Sequence, residues 1–316
     1  MNSFDLLRLL AAVAVIAHHA RGLSGRAPWT IGATDLGGLG VAVFFVISGY
    51  LIAASWKRSA GLGDFLKKRL LRIEPGLIAS LLVTAVVLGA FATSLPLGDY
   101  FTRPGVYLYV LRDALLYPVT YALPGVFAHT PFPNAVNGSL WTLRLEFTCY
   151  LGVAALGMTK LLKAPVVGGL VGLAALTALA FALRPDLGHG DLPRRLLIGA
   201  QFGFLFLAGA LIQLIGRRPP LWTVGFLVLL ATPMWILGLP LAVIAVGEMR
   251  SVRLPADLSY GLYIYAFPLQ QMLAQHGMLG FWSSLAVTAP FAAASWFLVE
   301  KPALRLKAKS SKASEK

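Results

Sequence analysis

LGGLGVAVFFVISGYLIAASW, residues 36–56, is a stretch of 21 residues without one charged side chain. A helix of about 20 apolar residues crosses about 30 Å of hydrocarbon. The stretch therefore predicts a membrane-spanning α-helix. Ser48 and Gly49 within it are small enough to let a neighbouring backbone approach closely, and packing is the simplest interpretation of that pair.

Comparable apolar runs recur along the whole chain, and we interpret ten of them as membrane-spanning helices. They lie near residues 6–20, 36–56, 76–95, 140–159, 165–183, 196–216, 220–236, 238–248, 258–275 and 279–299. The segment 100–127 is rich in aromatic residues and proline. Because lipid does not tolerate exposed irregular backbone, we predict a long loop there with a re-entrant or interfacial helix.

The composition excludes several classes of protein. Apolar residues make up 58% of the 316 residues and charged residues 13%, against about 25% charged in soluble domains, so a soluble globule would expose large apolar patches. The single cysteine, Cys149, excludes an internal disulfide framework and a cysteine-based metal site, and no metal is expected. The net charge of +14 falls in short clusters between apolar runs, which is typical of membrane topology rather than of nucleic-acid binding.

The basic residues also predict how the helices are oriented. With the N-terminus inside, the inner loops and the tail hold 18 Lys and Arg residues and the outer loops hold 7. This asymmetry favours ten spans with both termini in the cytoplasm. We expect one all-α transmembrane bundle over residues 1–302 and a disordered basic tail over residues 303–316.

Two polar residues share one face of the first predicted span. Arg8 and His19 are eleven residues apart, which is three helical turns plus about 20°, with about 16 Å between them along the axis. Arg8 could simply extend to the inner headgroups while the histidine lies at the outer interface. Ionisable residues within a membrane are nevertheless candidates for function, and an imidazole can act as a base near neutral pH.

The fourth predicted span carries a carboxylate. Glu146 lies about 9 Å from the outer end if the helix begins at residue 140. An unpaired carboxylate at that depth is costly, and Arg144 faces another side of the helix. His19 is at a compatible depth, so we predict a Glu146–His19 contact within about 3–5 Å; a structural ion pair is the alternative.

A basic segment precedes the third span. Arg69 and Arg72 lie one turn apart on a helix that is amphipathic. Guanidinium pairs suit bidentate binding of phosphate. The alternative is that they anchor the chain to anionic lipid.

Taken together, six segments resemble the acyltransferase-3 family of integral membrane O-acyltransferases, in its stand-alone form without an esterase-like domain. The segments are Arg8-x10-His19, the G-V-x-x-F-F-x-x-S-G-Y-L-I run at 40–52, Arg69-x-x-Arg72 before Pro75, W-T-L-x-x-E at 141–146, S-Y-G-L-Y at 259–263 and E-K-P at 300–302. They occur in the family's order and cover nearly the whole chain.

The chain departs from the family at three positions. Ala42 stands where many members have Asp, Phe147 where many have a second Glu, and Ala266 and Phe267 precede a proline where many have His. These positions cannot carry catalysis here. The departures leave His19 as the principal candidate base.

The resemblance implies transfer of an acyl group, usually acetyl, from cytoplasmic acyl-CoA to a hydroxyl of an extracytoplasmic or lipid-linked glycan at the bacterial inner membrane. The expected partners are acyl-CoA as co-substrate, a glycan or glycolipid acceptor and membrane lipids, with no permanently bound cofactor. His19 would act as base or become acylated, Glu146 would orient it, and Arg8 would complete the catalytic group. The expected substrate-binding residues are Arg69, Arg72, Ser48, Asn137, Trp141 and Arg144.

Two other functions compete with this one. In a secondary transporter or glycan flippase, the same intramembrane polar residues would line a substrate path. Transporters often contain inverted repeats, and we find no strong internal repeat. A membrane scaffold is the second alternative, in which replacing His19 would change stability at most.

Overall fold

The computed structural model describes residues 3–117, 119–184, 190–232, 234–249 and 254–306. The described residues are mostly α-helical and include a hairpin of two short strands, β1 (Thr30–Ile31) and β2 (Thr34–Asp35). The helices are α1 (Phe4–Gly22), α2 (Leu36–Lys57), α3 (Leu62–Leu82), α4 (Gly89–Ala92), α5 (Leu97–Thr102), α6 (Pro104–Ala114), α7 (Leu140–Met158), α8 (Ala164–Leu183), α9 (Asp191–Ile215), α10 (Trp235–Gly247), α11 (Ser259–Gln275) and α12 (Phe281–Ser295). Two π-helical segments, Val83–Leu88 and Trp296–Glu300, and a 3-10 helix, Leu221–Ala231, complete the set.

Helical structure occurs at each of the ten predicted positions, and within the described ranges five helices are long and apolar enough to cross a membrane. Those five are Leu36–Lys57, Leu62–Ala92, Ala164–Phe181, Asp191–Ile215 and Phe281–Leu306. The others are shorter or more polar. Helix α11, for example, is 17 residues long and almost wholly buried among other helices, so most of its surface contacts protein and need not be uniformly apolar.

Three predicted boundaries change in the structure. The span predicted at 76–95 begins at residue 62, because the basic segment and the apolar run form one helix that passes through Pro75. The run predicted at 220–236 is a 3-10 helix that packs against Gly238 of α10. The last helix continues to Leu306, and the rest of the predicted tail, residues 307–316, lies outside the described residues.

The segment 100–127, predicted as a long loop with a re-entrant or interfacial helix, contains α6 and the end of α5. They occupy its first part, and α6 packs against α3 through buried residues such as Tyr109. The remainder is irregular up to α7, apart from an isolated bridge between Thr93 and Val126.

Close packing of α1, α2 and α9 forms the centre of the bundle. A Cβ at Gly40 of α2 would lie 2.6 Å from the carbonyl oxygen of Ala11, and a Cβ at Gly49 would overlap the backbone of Phe206. Only glycine permits these approaches, since even one methyl group would push the helices apart. The sequence prediction that Gly49 serves packing is therefore confirmed.

The bundle has two ends of different chemistry. We call the end that holds Lys57, Lys68 and Lys160 the basic end, and the end that holds His18 and His19 the histidine end. Helix α1 runs from the first to the second.

Candidate functional site

A cavity of about 130 Å³ opens among α1, α2, α3, α7 and α11, towards the basic end. Three guanidinium groups and one carboxylate line it, from Arg8, Arg69, Arg72 and Glu146. Apolar and aromatic side chains of α2 and α11 form much of the remaining wall. We call it the arginine cavity. It brings together five residues that the sequence singled out, the fifth being Ser48 of α2.

Arg72 is held by a carboxylate that the sequence analysis missed. Its Nη2 lies 2.6 Å from Oδ2 of Asp257, and Nη1 of Arg8 lies 3.4 Å from the same oxygen. The hydroxyl of Ser259 donates to the other oxygen of Asp257 at 2.6 Å. Burial alone would raise the pKa of Asp257, but the two guanidinium groups outweigh it and hold the pKa below its usual range.

A second buried carboxylate lies beyond Arg72. Oε2 of Glu300, a residue only 2% exposed, is 4.0 Å from Nη1 of Arg72, and Ser295 donates to its other oxygen at 2.8 Å. The guanidinium of Arg72 also lies over the ring of Tyr260, whose hydroxyl donates to the carbonyl of Ile73. Arg72 is therefore fixed and largely neutralised by its surroundings.

Arg69 has different surroundings. Among the described residues, no carboxylate lies within ion-pair distance of its guanidinium, and its Nε is buried without a hydrogen-bond partner. It lines the same cavity as Arg72. One of the two arginines is thus held by carboxylates, while the guanidinium of the other has no ion-pair partner in the described part of the chain.

Glu146 has its own partners inside the arginine cavity. Its Oε1 accepts hydrogen bonds from Ser48 of α2 and from Tyr150, which donates at 2.6 Å from one turn further along α7. Tyr150 was not recognised from the sequence, although its i,i+4 spacing from Glu146 was a usable signal.

The predicted contact between Glu146 and His19 is wrong, as the packing of α1 on α2 shows. The two helices are antiparallel: His18 lies against Gly37, and the ring of Phe4 lies 5.5 Å from that of Tyr50. Ser48, which binds Glu146, is therefore level with the beginning of α1 and not with the histidines.

Helices α7 and α11 give the same result independently. The ring of His19 lies 5.1 Å from that of Phe267, and Phe267 in turn packs on Gly138, just before α7. Glu146 is eight residues further along, or about 12 Å. The sequence estimate took residue 140 as the membrane surface, whereas Asn137 and Leu140 are already buried at 1% and 0% exposure.

At the histidine end, the carboxylate of Asp35 pairs with His18 and not with His19. Nδ1 of His18 lies 3.0 Å from Oδ1 of Asp35, and Asp35 also caps α2 by accepting from the amide of Gly38 at 2.7 Å. The His18 imidazole, together with this amide, lowers the pKa of Asp35 to about 2. His19 packs its ring against His18 and Phe267, and its Nδ1 is buried without a hydrogen-bond partner.

The remaining predicted substrate-binding residues are not part of the arginine cavity's wall in the described part of the chain. Asn137 donates to the carbonyl of Ile264 at 2.9 Å and accepts from the amide of Ser139, so it joins α7 to α11. Trp141 packs its ring against Phe202. Arg144 offers its backbone carbonyl to Tyr117 and Thr148. No group of three His, Cys, Asp or Glu side chains in the described part of the chain converges as metal ligands.

Comparison with known proteins adds independent evidence. The family model described as an acyltransferase domain, of the acyltransferase-3 family, matches residues 1–299. The chain is 31% identical to an O-acetyl transferase of Shigella phage Sf6, over 95% of each chain. It is 30% identical to Nodulation protein 10 of Rhizobium leguminosarum bv. viciae, over 97% of this chain and 94% of that protein. No solved structure matches the chain.

The match extends from the first helix almost to the end of the chain, and it includes every residue of the arginine cavity and both histidines of α1. The chain belongs to the acyltransferase-3 family and is an integral membrane acyltransferase.

Proposed function

We propose that this acyltransferase moves an acetyl group from cytoplasmic acyl-CoA to a hydroxyl of an extracytoplasmic or lipid-linked glycan. One observation carries the proposal: α1 presents Arg8 to the arginine cavity at one end and His19 at the other. The basic end then faces the cytoplasm of a bacterial inner membrane, with ten spans and both termini on that side, and the histidine end faces outward. A relative with the printed name O-acetyl transferase supports acetyl as the acyl group.

The donor enters the arginine cavity from the basic end. Arg69 is the guanidinium there without a carboxylate partner in the described part of the chain, so it can bind a phosphate group at full charge. Arg72 shapes the cavity and is held by Asp257 and Glu300. The flexible pantetheine arm of the donor then extends along α1 and carries the thioester towards His19.

The acyl transfer itself takes place at the histidine end. The acceptor hydroxyl gives its proton to His19 while its oxygen attacks the thioester carbonyl. The tetrahedral intermediate collapses, the C–S bond breaks, and the CoA thiolate recovers the proton from the imidazole. Glu146 takes no part in this step, because its carboxylate holds Ser48 and Tyr150 in the donor cavity.

The decisive experiment compares surface glycans from cells with and without the gene by mass spectrometry. We expect one class of glycan to lose the mass of an acetyl group when the gene is absent, and to regain it with the wild-type gene but not with His19→Ala. Purified protein in vesicles should transfer radiolabel from acetyl-CoA to that glycan. Identical glycans in both strains, together with no transfer in vesicles, would refute the proposal.

A further inference from the structure

A second cavity, of about 360 Å³, lies at the basic end beside the arginine cavity. Three lysines line it: Lys57 at the end of α2, and Lys160 and Lys163 in the connection between α7 and α8. Trp56 and Gly157 form part of its wall, where the indole packs against the glycine. We call it the lysine cavity.

The same two helices line both cavities. On α2, Ile52 lines the arginine cavity and Lys57 the lysine cavity, five residues or about 7 Å apart. On α7, Tyr150 lines the first and Gly157 the second, which is about 10 Å. The lysine cavity is therefore the next space towards the basic end, within the length of one extended molecule.

The connection that carries two of the lysines is built in an unusual way. Lys160 has a φ of 60°, a left-handed conformation that is unfavourable for a residue other than glycine and that glycine usually occupies after a helix. The turn is closed by the amides of Leu161 and Leu162, which both donate to the carbonyl of Leu156. The chain thus has a cationic side chain where glycine would be the more stable choice.

The cavity is also strongly positive. In the described part of the chain, no carboxylate lies within ion-pair distance of Lys57, Lys160 or Lys163. Lys163 is in addition the N-cap residue of α8, a helix of 20 residues, whose N-terminal dipole favours anions. The arginine cavity, by contrast, has most of its charge neutralised by Asp257 and Glu300.

We infer that the lysine cavity binds the phosphorylated nucleotide end of the acyl donor while the pantetheine arm passes through the arginine cavity towards His19. This inference rests on the proposed function. The nucleotide end carries a pyrophosphate and a separate phosphate ester, and Arg69 alone cannot neutralise them. The three lysines supply the missing cations on the side of the arginine cavity that faces the basic end. An anionic lipid headgroup presents the same phosphate chemistry and is the competing occupant.

The test compares donors that differ only in their nucleotide end: acetyl-CoA, acetyl-dephospho-CoA and acetyl-pantetheine. For Lys160→Ala combined with Lys163→Ala, we expect the KM for acetyl-CoA to rise about tenfold or more, with kcat nearly unchanged. The KM for acetyl-pantetheine should not change. Lys67→Ala, which removes an exposed lysine of α3 outside both cavities, is the matched control and should behave as wild type with every donor.

A second variant separates binding from folding. Lys160→Gly removes the charge and also relieves the left-handed backbone, so it should weaken acetyl-CoA binding without lowering the melting temperature. Equal effects on acetyl-CoA and acetyl-pantetheine, or no effect on either, would overturn the inference.

Two further measurements distinguish the remaining outcomes. Direct binding of radiolabelled acetyl-CoA is measured in nanodiscs of phosphatidylcholine alone and with added phosphatidylglycerol. An effect of the lysine variants that occurs only with phosphatidylglycerol would assign the cavity to lipid and overturn the inference. Wild-type protein that binds no acetyl-CoA in either membrane would refute the proposed function itself. Equal binding of acetyl-CoA by wild type and lysine variants would refute only the assignment of the lysine cavity as the nucleotide site.

Discussion

The arginine cavity and the histidine end lie on the same helix, yet they handle polar groups in opposite ways. Around the cavity, the carboxylates have several partners: Asp257, which holds two of the lining arginines, also binds a hydroxyl, and Glu146, which lines the cavity, binds two hydroxyls. At the histidine end, His19 is packed by rings and its Nδ1 has no partner. The carboxylates around the cavity are therefore fixed by several polar contacts, whereas the His19 imidazole is positioned by ring packing.

The comparison also separates two residues that sequence reasoning had paired. Glu146 belongs to the cavity and His19 to the opposite end, about 12 Å away along α7. A carboxylate that supports the donor site should affect donor binding. A carboxylate that orients the base should affect the proton transfer.

His19→Ala should lower the turnover number by about 10²–10⁴-fold, the usual contribution of a general base. The dissociation constant for acetyl-CoA should change less than about threefold, because the arginine cavity is untouched. Transfer assays and direct donor binding measure the two quantities. Full transfer activity in this variant would remove His19 from the reaction.

Asp257→Ala should destabilise the protein by about 3 kcal/mol, because it leaves Arg8 and Arg72 without the carboxylate that they share. Thermal unfolding in detergent measures the effect. The matched control is Asp5→Ala, which removes the exposed partner of Arg8 and should cost less than about 1 kcal/mol. Equal losses of stability in the two variants would show that the buried contact with Asp257 stabilises the protein no more than the exposed contact with Asp5.

Glu146→Gln should raise the KM for acetyl-CoA about tenfold and leave the pH dependence of kcat unchanged. The amide keeps the shape of the side chain but weakens its bonds with Ser48 and Tyr150. The measurement is a pH–rate profile of variant and wild type. A shift of the pH–rate profile in the variant would instead support a functional Glu146–His19 pair, which the structure separates.

Asp35→Asn should lower stability at neutral pH by about 0.5–2 kcal/mol, because it weakens the contact with His18 and the cap on α2. The pKa of Asp35 is lowered from its ordinary value of 3.8 to about 2, so its contribution is complete above pH 4 and is lost as the pH falls towards 2. Melting temperatures of variant and wild type should therefore converge in acid. A difference in melting temperature that stays constant down to pH 2 would show that the ionised Asp35 carboxylate is not its cause.

Much of the fold could be predicted because it depends on local composition. Apolar runs identified helical structure at the ten predicted positions, and the small residues Ser48 and Gly49 of α2 indicated close packing, which Gly49 confirms. The helix Leu62–Ala92 and the 3-10 helix Leu221–Ala231 differ from the prediction. Hydropathy alone does not distinguish a continuous helix from two segments, nor an α-helix from a 3-10 helix.

Local sequence was less informative about the site. Arg8, Arg69, Arg72, Ser48 and Glu146 were all selected in advance, and the structure brings them to one cavity. Asp257 was missed because it lies between predicted spans and follows no motif that indicates its partners. Its importance arises only when the beginning of α1, the middle of α3 and the start of α11 meet.

Composition, motif order and helical periodicity are properties of one segment at a time, and they were enough to predict the class of protein, the family and the shared face of Arg8 and His19. The pairing of Glu146 with Ser48 and Tyr150, the joining of two arginines by Asp257, and the position of the lysine cavity beside the arginine cavity became visible in the packed helices. The reason is that the relative depth of two helices depends on where each begins within the bundle. That depth is set by contacts between distant segments, such as Gly40 on Ala11 and Gly138 on Phe267.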